Sequence, residues 1–390
     1  MIRFLSIGIF LSVSCFSQDN LQLLSSLKQD IIKTEQMQNE LNSDNLQYSW
    51  INQIVGTFSY NNSDMTKNTE EQNILSVSMK QPIFKSGGIY YAIEYAKANR
   101  DYLRIVTKNS EQGQIKTVLS TLYNIKKINL QIKKQQYLID NAKIDIMRKK
   151  EQYESGFLDS SYLNQAILTK STLERALMDM ESSKYELLKT LKTYSDLNYK
   201  DVTLPKFALV DESKFMQKSL NIRQKNSEIM RSDYLKKMTI SSYLPTISLN
   251  AGYYDVHDYS AQQYRSIGLS FTIPLIDVNR GRTIEISRLD YLKSKLQFAD
   301  TKREEKENYD LAVNKIKLLK KKISLALEDL KLYDSLLATT KDSYSAGEKT
   351  IYDVETLSNS KETMAIDAKI FATDIQLALL DIYARMNGEI

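Results

Sequence analysis

Four segments of the chain alternate between apolar and small polar residues. Leu75, Val77 and Met79 alternate with Ser76, Ser78 and Lys80, and Ile267, Leu269 and Phe271 alternate with Gly268, Ser270 and Thr272. Ile247, Leu249, Ala251 and Tyr253 alternate with Thr246, Ser248, Asn250 and Gly252, while Phe58 and Tyr60 alternate with Thr57, Ser59 and Asn61. A period of two puts one set on each face of a strand. The pattern therefore predicts four strands of about ten residues, a length that suits a tilted strand crossing an outer membrane. Polar stretches over 62–73 and 257–263 read as surface loops between them. Pro82 and Pro274 are expected to close strands and mark the strand-to-helix boundaries, where a missing backbone donor does least harm.

Everything else reads as helix. No proline falls in residues 88–153 or 281–344. Each of these runs would extend on the order of 100 Å at 1.5 Å per residue. Shorter helical runs return over 161–194 and 352–386. Their apolar spacing is helical but sparse, as in Val118, Leu122, Ile125 and Ile128, or Leu357, Met364, Ile370 and Leu377. That pattern predicts coiled-coil-like helices with a wide solvated face.

The landmarks come twice. Pro82 and Pro274 are 192 residues apart, and the glycines of Tyr153-Glu-Ser-Gly156 and Tyr344-Ser-Ala-Gly347 are 191 apart. Two independent landmarks at nearly one offset predict an internal duplication. The expected organisation is a first unit over 18–198, a connection over 199–210 and a second unit over 211–390. Each unit consists of a helix, two strands and a long helix pair.

Residues 1–17 read as an export signal: Arg3, then a short apolar run from Phe4 to Val13, then small residues up to Ser17. Lipidation at Cys15 is the alternative, although Ser12 stands where a lipobox usually has leucine.

Composition removes several function classes. The net charge of +5 is small for 390 residues, and the two signs are interspersed, so no basic stripe exists to follow a nucleic-acid backbone. One cysteine and one histidine, His257, leave no disulfide framework and no multi-histidine metal site. No nucleophile elbow or phosphate loop is present, so the chain is read as a non-enzyme with no cofactor and no metal. His257 falls in a polar stretch and reads as solvent-facing. Four prolines and eleven glycines in so long a chain agree with long unbroken helices.

Four membrane-length strands cannot close a barrel, and an open sheet edge cannot sit in lipid. Other copies of the chain must complete it: two would give eight strands, three would give twelve. The apolar face would meet lipid and the Ser/Thr/Gly/Asn face a wet lumen. The aromatics near the strands, Phe58, Tyr60, Phe84, Tyr253, Tyr254, Tyr259, Tyr264 and Phe271, are candidates for interfacial girdles.

Taken together, these residues resemble a known family. The stretch from Tyr344 through Gly347 and Tyr352 to Val354, and Tyr153-Glu-Ser-Gly156 with Leu163 beyond it, resemble the turns of TolC-type outer-membrane efflux proteins. Leu244 to Tyr253 is similar to the third strand of that family, and Ile267 to Arg282 to its fourth strand and helix entry. The resemblance implies a homotrimer in the outer membrane of a Gram-negative bacterium, with a twelve-stranded β-barrel and a periplasmic α-helical barrel. It also implies a passive duct for small molecules, served by a periplasmic adaptor and an inner-membrane pump. Tyr153, Gly156, Tyr344 and Gly347 would then lie at the tips that meet the adaptor. Asp353, with Glu355 and Thr356, would line the periplasmic constriction. The family carries a second acidic residue where this chain has Thr356, a departure that weakens the case for a double acidic ring. An exported coiled-coil scaffold or adhesin without a barrel is the competing reading.

Overall fold

The structure, a computed structural model, describes residues 20–65, 68–257 and 261–386. Residues 1–17, read from the sequence as an export signal, and Cys15 and Tyr259 lie outside the described residues. The element order repeats once. Helix α1 (Ser26–Tyr48), strands β1 (Val55–Met65) and β2 (Asn68–Phe84) and helices α2 (Gly88–Glu154) and α3 (Ser160–Tyr194) come first. A short α4 (Glu212–Lys218), α5 (Leu220–Ser241), β3 (Thr246–His257), β4 (Ala261–Thr272), α6 (Arg280–Ser345) and α7 (Ile351–Ala384) follow. The chain folds into two compact units, and each unit draws on both halves of the repeat.

One unit comprises Met1–Ile31, Asn109–Ser219 and Glu305–Ile390. The stripe on α2 is buried as its spacing predicts: Val118 is 0% exposed, Leu122 4%, Ile125 2% and Ile128 9%. A second core gathers Val210, Phe215, Tyr309, Ile316, Leu379, Ile382 and Met386. Tyr309 stacks on Phe215 with ring centroids 5.3 Å apart and donates its hydroxyl to the Val210 carbonyl at 2.7 Å. The connection between the repeats is tied down as well. The Phe207 N–H donates to Gln376 Oε1 at 2.7 Å, and the Tyr123 hydroxyl donates to the Pro205 carbonyl. Burial pushes that phenol up to about 12. Corresponding closures recur at the helix ends of the two halves. The Ser25 N–H donates to the Tyr194 carbonyl at 2.8 Å, and Ser219, at the break between α4 and α5, pairs with Met386 as an isolated bridge.

The other unit comprises Ile32–Lys108 and Leu220–Glu304 and holds the sheet, ordered β1-β2-β3-β4 and antiparallel throughout. The strands run further than alternation alone predicts. Asn61 pairs with Gln72 and Asn62 with Glu71, so the residues expected to form the first loop belong mostly to β1 and β2. His257 is the last residue of β3 and pairs with Ala261, which leaves only residues 258–260 between β3 and β4. Where both faces of a strand are polar, no hydrophobic period exists to read. Pro82 lies inside β2, opposite Ser248, and the ladder shifts register between Pro82 and Phe84. A residue without an N–H is tolerated at such a bulge. Pro274 follows the end of β4 by two residues. The turn into α2 uses positive φ at Ser86 and Gly87, and the Ser86 hydroxyl donates to the Pro245 carbonyl at 2.7 Å.

Candidate functional site

Both long hairpins turn by the same backbone device. Gly156 has φ +76° and Gly347 φ +80°. In the first turn the Phe157 N–H reaches the Gln152 carbonyl at 2.9 Å and the Gly156 N–H reaches the Tyr153 carbonyl at 3.0 Å. In the second, Glu348 to Ser343 and Gly347 to Tyr344 repeat these bonds at 2.9 and 3.0 Å. These are Schellman closures, which need a residue at positive φ. Tyr153 and Tyr344 flank the turns about half exposed. Phe157, which sequence reasoning passed over, is 86% exposed just beyond Gly156. Its position after the turn glycine was the available signal.

The next helices start differently. At the head of α3, Asp159 Oδ1 accepts from the Ser161 N–H at 2.8 Å, and this bond holds its carboxyl below the usual range. At the head of α7, Asp353 accepts from the Thr350 N–H at 2.9 Å and from its hydroxyl at 2.8 Å. Asp353 Oδ1 also meets the Arg148 guanidinium of α2 at 3.0 Å. The Thr350 hydrogen bonds first, then Arg148 and Lys349, hold the Asp353 carboxyl below the ordinary range. Asp353 is therefore a cap and one half of an ion pair between α2 and α7. Glu355 is exposed, and the Thr356 carbonyl accepts from the Asn141 amide at 3.4 Å.

Arg148–Asp353 is the first rung of a ladder. Lys134 pairs with Asp367 at 2.7 Å and Lys127 with Asp374 at 2.7 Å. In these three pairs the two residue numbers add to 501, so antiparallel α2 and α7 present matching faces every seven or fourteen residues. One rung is neutral: Asn141 sits opposite Ser360 and accepts from the Asn359 amide at 2.8 Å. Beyond Asp374, Asp381 pairs with Lys116 and also approaches Arg385, whose guanidinium reaches the buried Glu305 at 2.9 Å.

The sheet has one apolar and one small-polar face. Residues opposite one another share a face, so Phe58 and Leu75, Met79, Ala251 and Ile267, and Leu249 and Leu269 lie together. Phe58, Ile267, Leu269 and Phe271 are 65% exposed or more. The opposite face carries Ser76, Ser78, Ser248, Asn250, Gly268 and Ser270. The apolar band runs obliquely, from Ile267–Phe271 on β4, through Ile247–Tyr253 on β3, to Phe58 and Tyr60 towards the hairpin end of β1. Aromatics stand at both limits of the band, Phe84 and Phe271 at one and Phe58, Tyr60 and Tyr253 at the other. Tyr254 and Tyr264 do not join them. They lie on the small-polar face, because Tyr254 follows Tyr253 directly and strand parity sends it to the other side.

No family model matches the sequence, and no curated protein matches it. Solved structures do. VceC from Vibrio cholerae superposes over 93% of this chain and 94% of its own, at TM-score 0.74 and 12% identity. CmeC from Campylobacter jejuni covers 95% of this chain and 85% of its own, at TM-score 0.75 and 15% identity. The outer-membrane channel OprN covers 95% and 89%, at TM-score 0.76 and 11% identity. This chain has the outer-membrane channel fold. In that fold the described residues hold no group of three or more His, Cys, Asp or Glu placed for a metal ion, and no helix long and apolar enough to cross a membrane.

Proposed function

We propose that the chain is one subunit of a homotrimeric efflux duct in the outer membrane of a Gram-negative bacterium. The oblique, exposed apolar band with aromatic limits carries this reading. Tilted strands in a bilayer need such a slant. From the Ile247 row to the His257 row is ten residues. That is roughly 33 Å along a strand, or about 25 Å of height at a tilt of about 40°. Strands β1 and β4 are the open edges of the sheet. Three copies joined edge to edge make a closed barrel of twelve strands, with the apolar face in lipid and the serine-rich face around water.

Helix α6 supports assembly independently. Leu311, Leu318, Leu325 and Leu332 recur every seven residues and are 58–69% exposed. A heptad leucine stripe of that length suits a neighbouring helix. In the trimer the helices form a periplasmic tunnel, and the turns at Tyr153, Gly156, Phe157, Tyr344 and Gly347 meet an adaptor that couples to an inner-membrane pump. Asp353 and Glu355, with Thr356 in place of a further acid, give an anionic constriction near these turns. Conduction is passive, without catalysis or cofactor.

The test is single-channel recording in planar bilayers, with sizing in detergent on the same preparation. A trimer with small, cation-preferring openings is expected, and Asp353→Ala should raise conductance or weaken cation preference. If Asp353→Ala changes neither, the constriction lies elsewhere. A monomer without conductance in any lipid would replace the duct with an exported coiled-coil scaffold.

A further inference from the structure

On β3 and β4 the two faces exchange character towards the hairpin that joins them. On the apolar face, β3 continues past Tyr253 into Asp255 and His257, and Gln263 of β4 donates its amide to Asp255 at 3.3 Å. On the opposite face, the Ser/Asn/Gly surface gives way to Ile74, Tyr254, Val256 and Tyr264. Tyr254 and Tyr264 are directly opposed across β3 and β4, with ring centroids 4.9 Å apart and planes 15° apart. The Tyr254 ring leans back along its strand. A Cβ on Gly252 would stand 2.6 Å from Tyr254 Cε2 and 2.9 Å from its hydroxyl oxygen, so the ring occupies the space that glycine leaves. Tyr264 remains 51% exposed.

These four side chains lie beyond the apolar band of β3 and β4 and on the side away from it. Resting on the duct reading above, we propose that they form an apolar collar on the inner wall of the outlet, one patch per chain, that takes flat, weakly charged aromatic parts of exported solutes. A wall of serine, asparagine and glycine offers such a solute only water-like contacts. Two parallel tyrosine rings beside Ile74 and Val256 offer stacking and apolar burial. The patch is shallow and open, so it slows passage without closing the pore. Its chemistry selects by shape and polarity and leaves charge selection to Asp353.

Single-channel recording with riboflavin as a flat, uncharged probe, and raffinose as a bulky non-planar control, tests the collar. Riboflavin is expected to cause transient blocks in the parent. Tyr254→Ser with Tyr264→Ser should shorten them by about fivefold, the scale of losing an aromatic pair. Open conductance, ion selectivity and the response to raffinose should stay unchanged. Should the double variant fail to insert, Tyr264→Ser alone is read in the same way. Riboflavin blocks that persist unaltered in channel-forming variants, or that never occur in a conducting parent, overturn the collar and leave the duct standing. A parent that forms no channel overturns both.

Discussion

Helices α2 and α6 are repeat partners of almost equal length, at 67 and 66 residues, yet they meet their surroundings by opposite chemistry. On α2, Lys127 and Lys134 pair with aspartates of α7. The residues 191 positions later on α6 are Leu318 and Leu325, which are exposed. An ionic seam suffices between two helices of one chain, because the tether already supplies the high local concentration. A seam between separate chains must also offset lost translational and rotational freedom. Burial of leucine offers more for that than partly solvated ion pairs, which are worth about 0–1 kcal/mol each. Of the two long helices, one thus carries charge where it is served by its own chain and the other leucine where, on our reading, it awaits another copy.

The sharpest way to break this comparison is to exchange the chemistries. Leu318→Glu with Leu325→Glu should abolish the trimer in detergent sizing, because each leucine buried at a seam contributes about 1.5–3 kcal/mol. The mirror change, Lys127→Leu with Lys134→Leu, should leave assembly intact. A full-strength trimer from the glutamate pair would mean that the stripe faces something else. Next in size are the turns, where the two repeats should behave alike. Gly156→Ala and Gly347→Ala should each cost about 1 kcal/mol in denaturant unfolding, because both glycines occupy the left-handed region. A large difference between them would show that one turn relaxes.

The ladder itself should respond more weakly. Asp367→Ala should cost about 0.5–1 kcal/mol, and a double-mutant cycle with Lys134→Ala should return a coupling of about 0.5 kcal/mol that shrinks in high salt. A coupling of zero would reduce the rungs to a surface pattern. The smallest effect belongs to Asp353. Its carboxyl is held below the unfolded value of 3.8, so its contribution is present above that value and lost as pH falls through the lower folded one. Thermal unfolding of Asp353→Asn should therefore trail the parent at neutral pH and converge with it as the pH falls through the lowered folded value. A gap that persists there would assign the loss to geometry instead of charge.

Much of this fold is written in local pattern. The glycines at 156 and 347 and the prolines at 82 and 274 punctuate the chain at nearly one offset, and period-two alternation marks the centre of every strand. What local pattern misses has a common cause. Asn62 and Glu71 extend strands in which neither face is apolar, so no period distinguishes them from a loop. The aromatics show a subtler failure. Composition groups Tyr253 with Tyr254, while parity, which is legible in any strand, separates them.

By itself, then, the sequence determined the elements and the two-faced sheet, because helix length, turn chemistry and alternation all act between residues a few positions apart. Only the tertiary structure decided the partners. Arg148 meets Asp353 across 205 residues and Lys116 meets Asp381 across 265, and charged residues dispersed along the chain gave no sign of which would pair. It also decided the slant of the apolar band, since the register between strands is a property of the assembled sheet. Short-range preferences choose what each segment becomes. Packing and register choose what it faces, and in this chain what each surface faces is what suggests a duct.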